Sequence, residues 1–214
     1  MSVTSTMQAA VGEAFARRDR AARALAEDSG RIARACRDMA VRFRHGGKLI
    51  VFGNGGGGTD AAHIAVEFMH PVVVGKRALP AIALSNDAAT VSGVGNREGL
   101  AETFAHQVHR WADPADMALG ISRDGRCENV LRGLEMAKTL GLFTFALAGG
   151  DGGPLARSPA ADHVLTVASD DPAVVKEIHV TAYHVLWELV HVFYEQPGPL
   201  GAGTPGGTSG EAAG

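Results

Sequence analysis

The chain has 214 residues, is 46% hydrophobic and 20% charged, and carries a net charge of −3. That apolar content allows one ordinary globular core and excludes a disordered chain. The near-balanced charge excludes a global electrostatic footprint for nucleic acid or an anionic membrane, so neither is expected as a partner.

The first residues are interrupted by charge throughout and hold no apolar core of leader length, so secretion is not expected and the cytoplasm is the expected setting. From Thr6 to Arg44 the apolar positions Phe15, Ala22, Leu25, Ile32, Cys36, Met39, Ala40 and Phe43 recur at helical spacing. Asp28-Ser29-Gly30 marks a break, with Ser29 as the expected cap, and Gly46-Gly47 ends the segment. Lys48 to Phe52 is a short apolar run that suits a buried parallel strand, and the glycine run Gly53 to Asp60 reads as its exit loop. The same grammar repeats. Strands are predicted over Leu79–Ser85, Met117–Ser122, Phe143–Ala148 and His163–Val167. Helices are predicted over Asp60–Phe68, Ala88–Val94, Leu100–Trp111, Glu128–Leu140 and Ala173–Phe193. Strands alternating with helices imply an α/β fold, a parallel sheet covered on both faces. The last segment, Gly198 to Gly214, is nearly all Gly, Pro, Ala, Thr and Ser, and reads as a disordered tail. Cys36 and Cys127 form no CxxC pair and cannot build a disulfide framework.

Ligands of such sheets bind outside the carboxyl ends of the strands. Gly53 to Asp60 lies there, and its glycines and the following helix start suit an anion such as a phosphate; the alternative is a tight turn without a ligand. The run is neither a dinucleotide GxGxxG nor a lysine-bearing phosphate loop, so no nucleotide cofactor is expected. Ser122-Arg123-Asp124-Gly125 has the same location after another strand. Arg123 suits a phosphate and Ser122 can donate to it, whereas Asp124 repels one; the alternative is an Arg–Asp surface pair at a helix start. His63 and Glu67, four residues apart, share a face of an otherwise apolar helix, where a polar pair needs a reason. The final helix carries Lys176, Glu177, His179, His184, Trp187, Glu188 and His191 among apolar residues. Glu177 and His184 face the same way, and His179 and His191 read as satisfied interface histidines.

The stretches GNGGGGTDAAHIAVEF (53–68), LPAIALSNDAATVSGVGN (79–96), ADMALGISRDGRCENV (115–130), FTFALAGGDGG (143–153) and VVKEIHVTAYHVL (174–186) together resemble the sugar isomerase (SIS) family, and within it the phosphoheptose isomerases. The resemblance implies a flavodoxin-like sheet over residues 46–195, a helical assembly segment over 1–45, a tail over 196–214, and a homotetramer with sites between subunits. The implied reaction converts sedoheptulose 7-phosphate to D-glycero-D-manno-heptose 7-phosphate through an enediol. Carried onto this chain, Glu67 is the base at carbon and His184 its acid–base partner. Zinc is implied at His63, Glu67, His184 and the position of Lys176. Sugar phosphate is implied at Asn54, Gly55, Gly56, Gly57, Asp87, Asn96, Ser122, Arg123 and Asp124.

The chain departs from the family pattern at several of these places. Gly57 stands for a serine, the loop near STSGNS reads Ser122-Arg123-Asp124-Gly125-Arg126-Cys127, Lys176 replaces a glutamine ligand, and Pro71 replaces an arginine. A protonated lysine cannot bind zinc. Two readings follow. One is an isomerase in which Arg123 or Arg126 replaces the lost hydroxyls and Lys176 supplies the charge otherwise supplied by zinc. The other is a non-catalytic phosphosugar-binding or scaffold protein.

Overall fold

Five short apolar segments pair into one fully parallel sheet in a computed structural model that describes residues 3–196. They are β1 (Leu49–Gly53), β2 (Ala81–Ala83), β3 (Met117–Ser122), β4 (Phe143–Gly149) and β5 (His163–Val167). Their spatial order is β2-β1-β3-β4-β5, the flavodoxin-like arrangement. Register follows from pairs such as Leu49 with Ala81 and Met117, and Phe145 with His163. The chain leaves β1 toward β2 on one side and takes β3 on the other, so a crevice opens at the carboxyl ends of β1 and β3.

Among the described residues eight α-helices accompany the sheet: α1 (Val3–Glu27), α2 (Ser29–Arg44), α3 (Gly56–Met69), α4 (Ala88–Glu98), α5 (Thr103–Trp111), α6 (Glu128–Thr139), α7 (Gly153–Arg157) and α8 (Pro172–Glu195). Alternation along the strands feeds two separate cores. Leu49, Val51, Leu119 and Phe145 pack under α2, α3 and α8, while Ile50, Phe52, Ala118 and Ala146 pack under α5 and α6. Ala21 and Leu25 of α1 join the first core, so the N-terminal helices share it with the sheet. Cys36 is buried there, and burial pushes its thiol up to about 12, which leaves it unreactive.

The sequence reading needs correction at several ends. The glycines at 56–58 are the first turn of α3, not loop. Strand β2 is three residues long, with Leu79 instead donating its amide to the Phe68 carbonyl at 2.8 Å. Helix α4 runs on to Glu98, a 3-10 turn at Leu100–Glu102 precedes α5, and α7 was not foreseen. Ser29 begins α2, and neither it nor Asp28 makes a side-chain capping bond there. The tail read as disordered lies outside the described residues from 197 onward. Among the described residues, no helix is long and apolar enough to cross a membrane.

Asp162 ties β4 to the entry of β5. Its Oδ2 accepts from the Thr144 amide and hydroxyl, each at 3.0 Å, and Oδ1 accepts from the Lys138 ammonium. Burial pushes its carboxyl up, but Lys138 and Thr144 together hold it below the usual range. A depressed carboxyl stabilises the fold above its unfolded pKa of about 3.9 and loses that contribution as pH falls through the lower folded value. Asp162→Asn is therefore expected to lower Tm at pH 7 by about 2–4 °C, equivalent to about 1 kcal/mol. Thermal melts from pH 7 to pH 2 should also show a shallower acid-side decline in the variant than in the parent chain.

Candidate active site

The crevice is built from backbone that approaches closely. A Cβ on Gly53 would lie 2.8 Å from the Ile121 carbonyl oxygen and from the Gly57 carbonyl carbon, so only glycine lets α3 begin this near β3. Ser85, after β2, donates to the Gly53 carbonyl at 2.8 Å and fixes the end of β1. Asn54 exchanges two amide hydrogen bonds with Asn129, at 2.7 and 2.9 Å, and so links the starts of α3 and α6. The cleft between these elements has a volume of about 460 Å³. Asn54, Gly55, Gly56 and Gly57 form one wall, Arg123, Asp124 and Cys127 a second, and Lys176 and His179 of α8 the third.

The loop after β3 is held by its own bonds. Ser122, 1% exposed, accepts from the Cys127 amide at 3.3 Å and so turns its hydroxyl inward. Asp124 accepts from the Arg126 amide at 3.0 Å, and the Arg126 guanidinium pairs with Asp151 at 3.0 Å. Gly125 has φ +68°, and a Cβ there would stand 1.8 Å from the Gly152 carbonyl oxygen. Arg126 is thus engaged with the neighbouring loop, and of the two arginines offered for a phosphate it is Arg123 that lines the cleft. Arg123 lines the cleft and makes no ion pair among the described residues.

Asp87 and Asn96 lie apart from the cleft. Asp87 caps α4, accepting from the Ala89 and Thr90 amides at 3.0 and 3.1 Å and from the Thr90 hydroxyl, which with the Thr90 amide holds its carboxyl below the usual range. Asn96 is exposed on α4.

Helices α3 and α8 run side by side in register. Lys176 donates to the Gly56 carbonyl at 2.7 Å, Tyr183 meets His63, and Trp187 donates to the Glu67 carbonyl at 2.9 Å, each pair 120 residues apart. This register gathers His63, Glu67 and His184, whose ligating atoms all lie within 4.8 Å of one another. His63 Nε2 is 3.2 Å from Glu67 Oε1, and the Glu67 side chain is 13% exposed. His184 Nδ1 donates to the Val180 carbonyl at 2.7 Å, which leaves Nε2 bare. Tyr183 is buried, and burial, reinforced by the charges of Asp60 and Glu67, keeps its phenol protonated well beyond the ordinary range.

Lys176 does not reach toward this cluster. Its ammonium donates to Asp60 Oδ1 at 2.5 Å and to Thr59 Oγ1 at 3.1 Å, besides the Gly56 carbonyl. Asp60 is 3% exposed and its Oδ2 has no hydrogen-bond partner among the described residues. Glu177, expected to share a face with His184, pairs with Arg18 of α1. His179 and His191 are buried within the chain itself. His179 donates to the Ala148 carbonyl at 3.0 Å, and burial holds its pKa below the ordinary value. Sequence reasoning missed the parts played by Asp60, Tyr183 and Trp187. A lysine on an apolar helix needed an anionic partner, and that was the available signal for Asp60.

The family model described as SIS domain matches residues 15–149. The phosphoheptose isomerase of Solidesulfovibrio magneticus is 40% identical over 168 residues, covering 78% of this chain and 81% of that one. That of Crocosphaera subtropica is 41% identical over 152 residues, covering 71% and 76%. The solved structure of a phosphoheptose isomerase from Francisella tularensis superposes with a TM-score of 0.79 at 31% identity, over 90% of this chain and 100% of that one. The match defines an SIS-domain protein, and within that class the chain belongs to the phosphoheptose isomerase family.

Removing the Lys176 ammonium would leave a buried carboxylate without a cation. Lys176→Ala is expected to cost about 2 kcal/mol, or about 4–8 °C in Tm, because the lysine itself is partly solvated. Adding Asp60→Asn should recover part of that loss, and scanning fluorimetry of the single and double variants checks it.

Proposed function

We propose that this chain is an aldose–ketose isomerase that converts sedoheptulose 7-phosphate to D-glycero-D-manno-heptose 7-phosphate by proton transfer between C1 and C2. The observation that carries the reading is the cluster of His63, Glu67 and His184 on the same helical seam as the cleft. Glu67, largely buried, is the base that takes the proton at carbon. His184 offers Nε2, because its Nδ1 is committed to the Val180 carbonyl, and that nitrogen serves the neighbouring oxygens as acid–base only when no metal occupies it. Lys176, at the cleft, and His184 are eight residues apart on α8, about 12 Å along its axis. That separation suits a substrate whose phosphate and reacting carbons lie at opposite ends. The amides at the start of α3 and Arg123, without an ion pair among the described residues, would hold the phosphate.

Two imidazoles and a carboxylate within 4.8 Å of one another fit the three-ligand donor set of a catalytic zinc. Zinc held by His63, Glu67 and His184 would supply positive charge for the oxygen side of the enediol. Lys176, occupied by Asp60, is not a donor in this reading and does not stand in for the metal.

The proposal includes a cytoplasmic homotetramer. Exposed Met7, Val11 and Phe15 along α1, and Val66, Met69 and Val185 beside the cluster, support burial against other copies. Light scattering on the eluting protein should give four times the chain mass. The competing reading, a non-catalytic phosphosugar-binding protein, is favoured by the inward-turned Ser122 hydroxyl and the committed Arg126.

One experiment separates the two readings: NMR with sedoheptulose 7-phosphate in deuterated water, with and without added zinc. The expected result is product with deuterium incorporated next to the carbonyl, and a rate lowered about 10²–10⁴-fold in Glu67→Gln. Binding without turnover or exchange would establish the non-catalytic reading instead.

A further inference from the structure

Tyr183 touches both histidines of the cluster. Its ring stacks on His184 at 4.8 Å between centroids and meets His63 edge-on at 5.4 Å. Its hydroxyl lies 2.7 Å from His63 Nδ1. The two histidines then differ in a way their partners dictate. The Val180 carbonyl can only accept, so His184 Nδ1 carries a proton and, in the neutral ring, Nε2 keeps a lone pair. The partner of His63 Nδ1 is instead a hydroxyl, which can donate or accept.

With Nε2 beside Glu67 Oε1, a carboxylate that only accepts, the neutral His63 ring carries its proton on Nε2 and receives the Tyr183 O–H at Nδ1. To ligate a metal through Nε2, the same ring needs its proton on Nδ1, where Tyr183 oxygen then accepts it. Between the two forms the Nε2 proton leaves to Glu67 or water and one proton from water arrives at Nδ1, so the ring stays neutral. A carbonyl at the place of the Tyr183 hydroxyl would support only the second form.

We propose that Tyr183 is a positioning residue whose hydroxyl supports both tautomers of His63, letting that ring pass between its bond to Glu67 and metal ligation without turning. The inference rests on the metal-assisted isomerase reading for its purpose, but its test does not depend on turnover.

The test is long-range proton–nitrogen NMR of the histidine rings at one neutral pH, on the metal-stripped full chain and after adding Zn²⁺, with zinc affinity measured against a chelator. In the parent chain His63 is expected to show a protonated Nε2 without metal and a protonated Nδ1 with it. Tyr183→Phe keeps the ring and its stack on His184. It should shift the His63 nitrogens, leave those of His184 in place, and weaken zinc binding about 10–100-fold. Unchanged His63 nitrogens and zinc affinity in Tyr183→Phe would overturn the proposal. Trp187→Phe removes a different tie on the same seam, the bond to the Glu67 carbonyl. A His63 shift there as large as in Tyr183→Phe would also overturn it, by showing general loosening. If the parent chain takes up no zinc, the metal reading fails, while a His63 shift confined to Tyr183→Phe still supports the hydroxyl's hold on that ring.

Discussion

Helices α3 and α8 lie parallel, and their register is what the rest of the site depends on. Neither helix alone holds more than two members of the cluster: His63 and Glu67 come from α3, and His184 from α8. A slip of one turn, about 5.4 Å, would separate them. Lys176, Tyr183 and Trp187 each fasten a different turn of α8 to α3, and each does so with a polar group in a mostly apolar seam. Hydrogen bonds add direction where apolar packing does not, since hydrophobic burial is insensitive to small slides. The shared core beneath both helices contributes most of the burial, and the three polar ties set the alignment.

The same division between burial and direction runs through the crevice. The sheet order brings the ends of β1 and β3 together, and glycine at 53 lets α3 start against β3. The loops after β3 and β4 are fastened to each other through Arg126, Asp151 and Gly125. The polar groups among the cleft's lining residues include the Lys176–Asp60 pair and Arg123, beside apolar residues such as Ile121, Pro172 and Val175. Hydroxyl groups, which a phosphate site commonly presents, are directed elsewhere in this chain.

Much of this was legible in the residues. Short apolar runs marked four of the strands closely, two of them, β1 and β4, ending in glycine, and the spacing of His63 and Glu67 placed both on one helical face. The glycines at 56–58 misled, because low helix propensity reads as loop, whereas here tertiary contact with β3 and Lys176 holds them in the first turn of α3. Ser122 was expected to donate to a phosphate because its loop lies at the end of a strand. Its orientation is decided by the Cys127 amide, a local turn that no periodicity encodes. The pairing of Lys176 with Asp60, and of Tyr183 with His63, spans more than a hundred residues and becomes visible only once the two helices are aligned. Asn96 and Asp87 were carried over by resemblance, and within this chain neither reaches the cleft; Asp87 serves its own helix.

The stapled loop from Ser122 to Cys127 has a thermodynamic consequence. Five fixed points hold its backbone: the Ser122 hydroxyl, the Asp124 turn, the Gly125 contact, the Arg126–Asp151 pair, and the Leu155 amide bonded to the Gly125 carbonyl at 3.2 Å. An anion arriving at the cleft therefore meets a preorganised rim and has to immobilise chiefly the Arg123 side chain, at about 2 kcal/mol of rotamer entropy. A loop that had to fold around its guest would lose about 1–2 kcal/mol for every backbone residue it ordered. With a rigid framework and, among the described residues, Arg123 as the cleft cation without an ion pair, such binding would involve few contacts at low entropic cost.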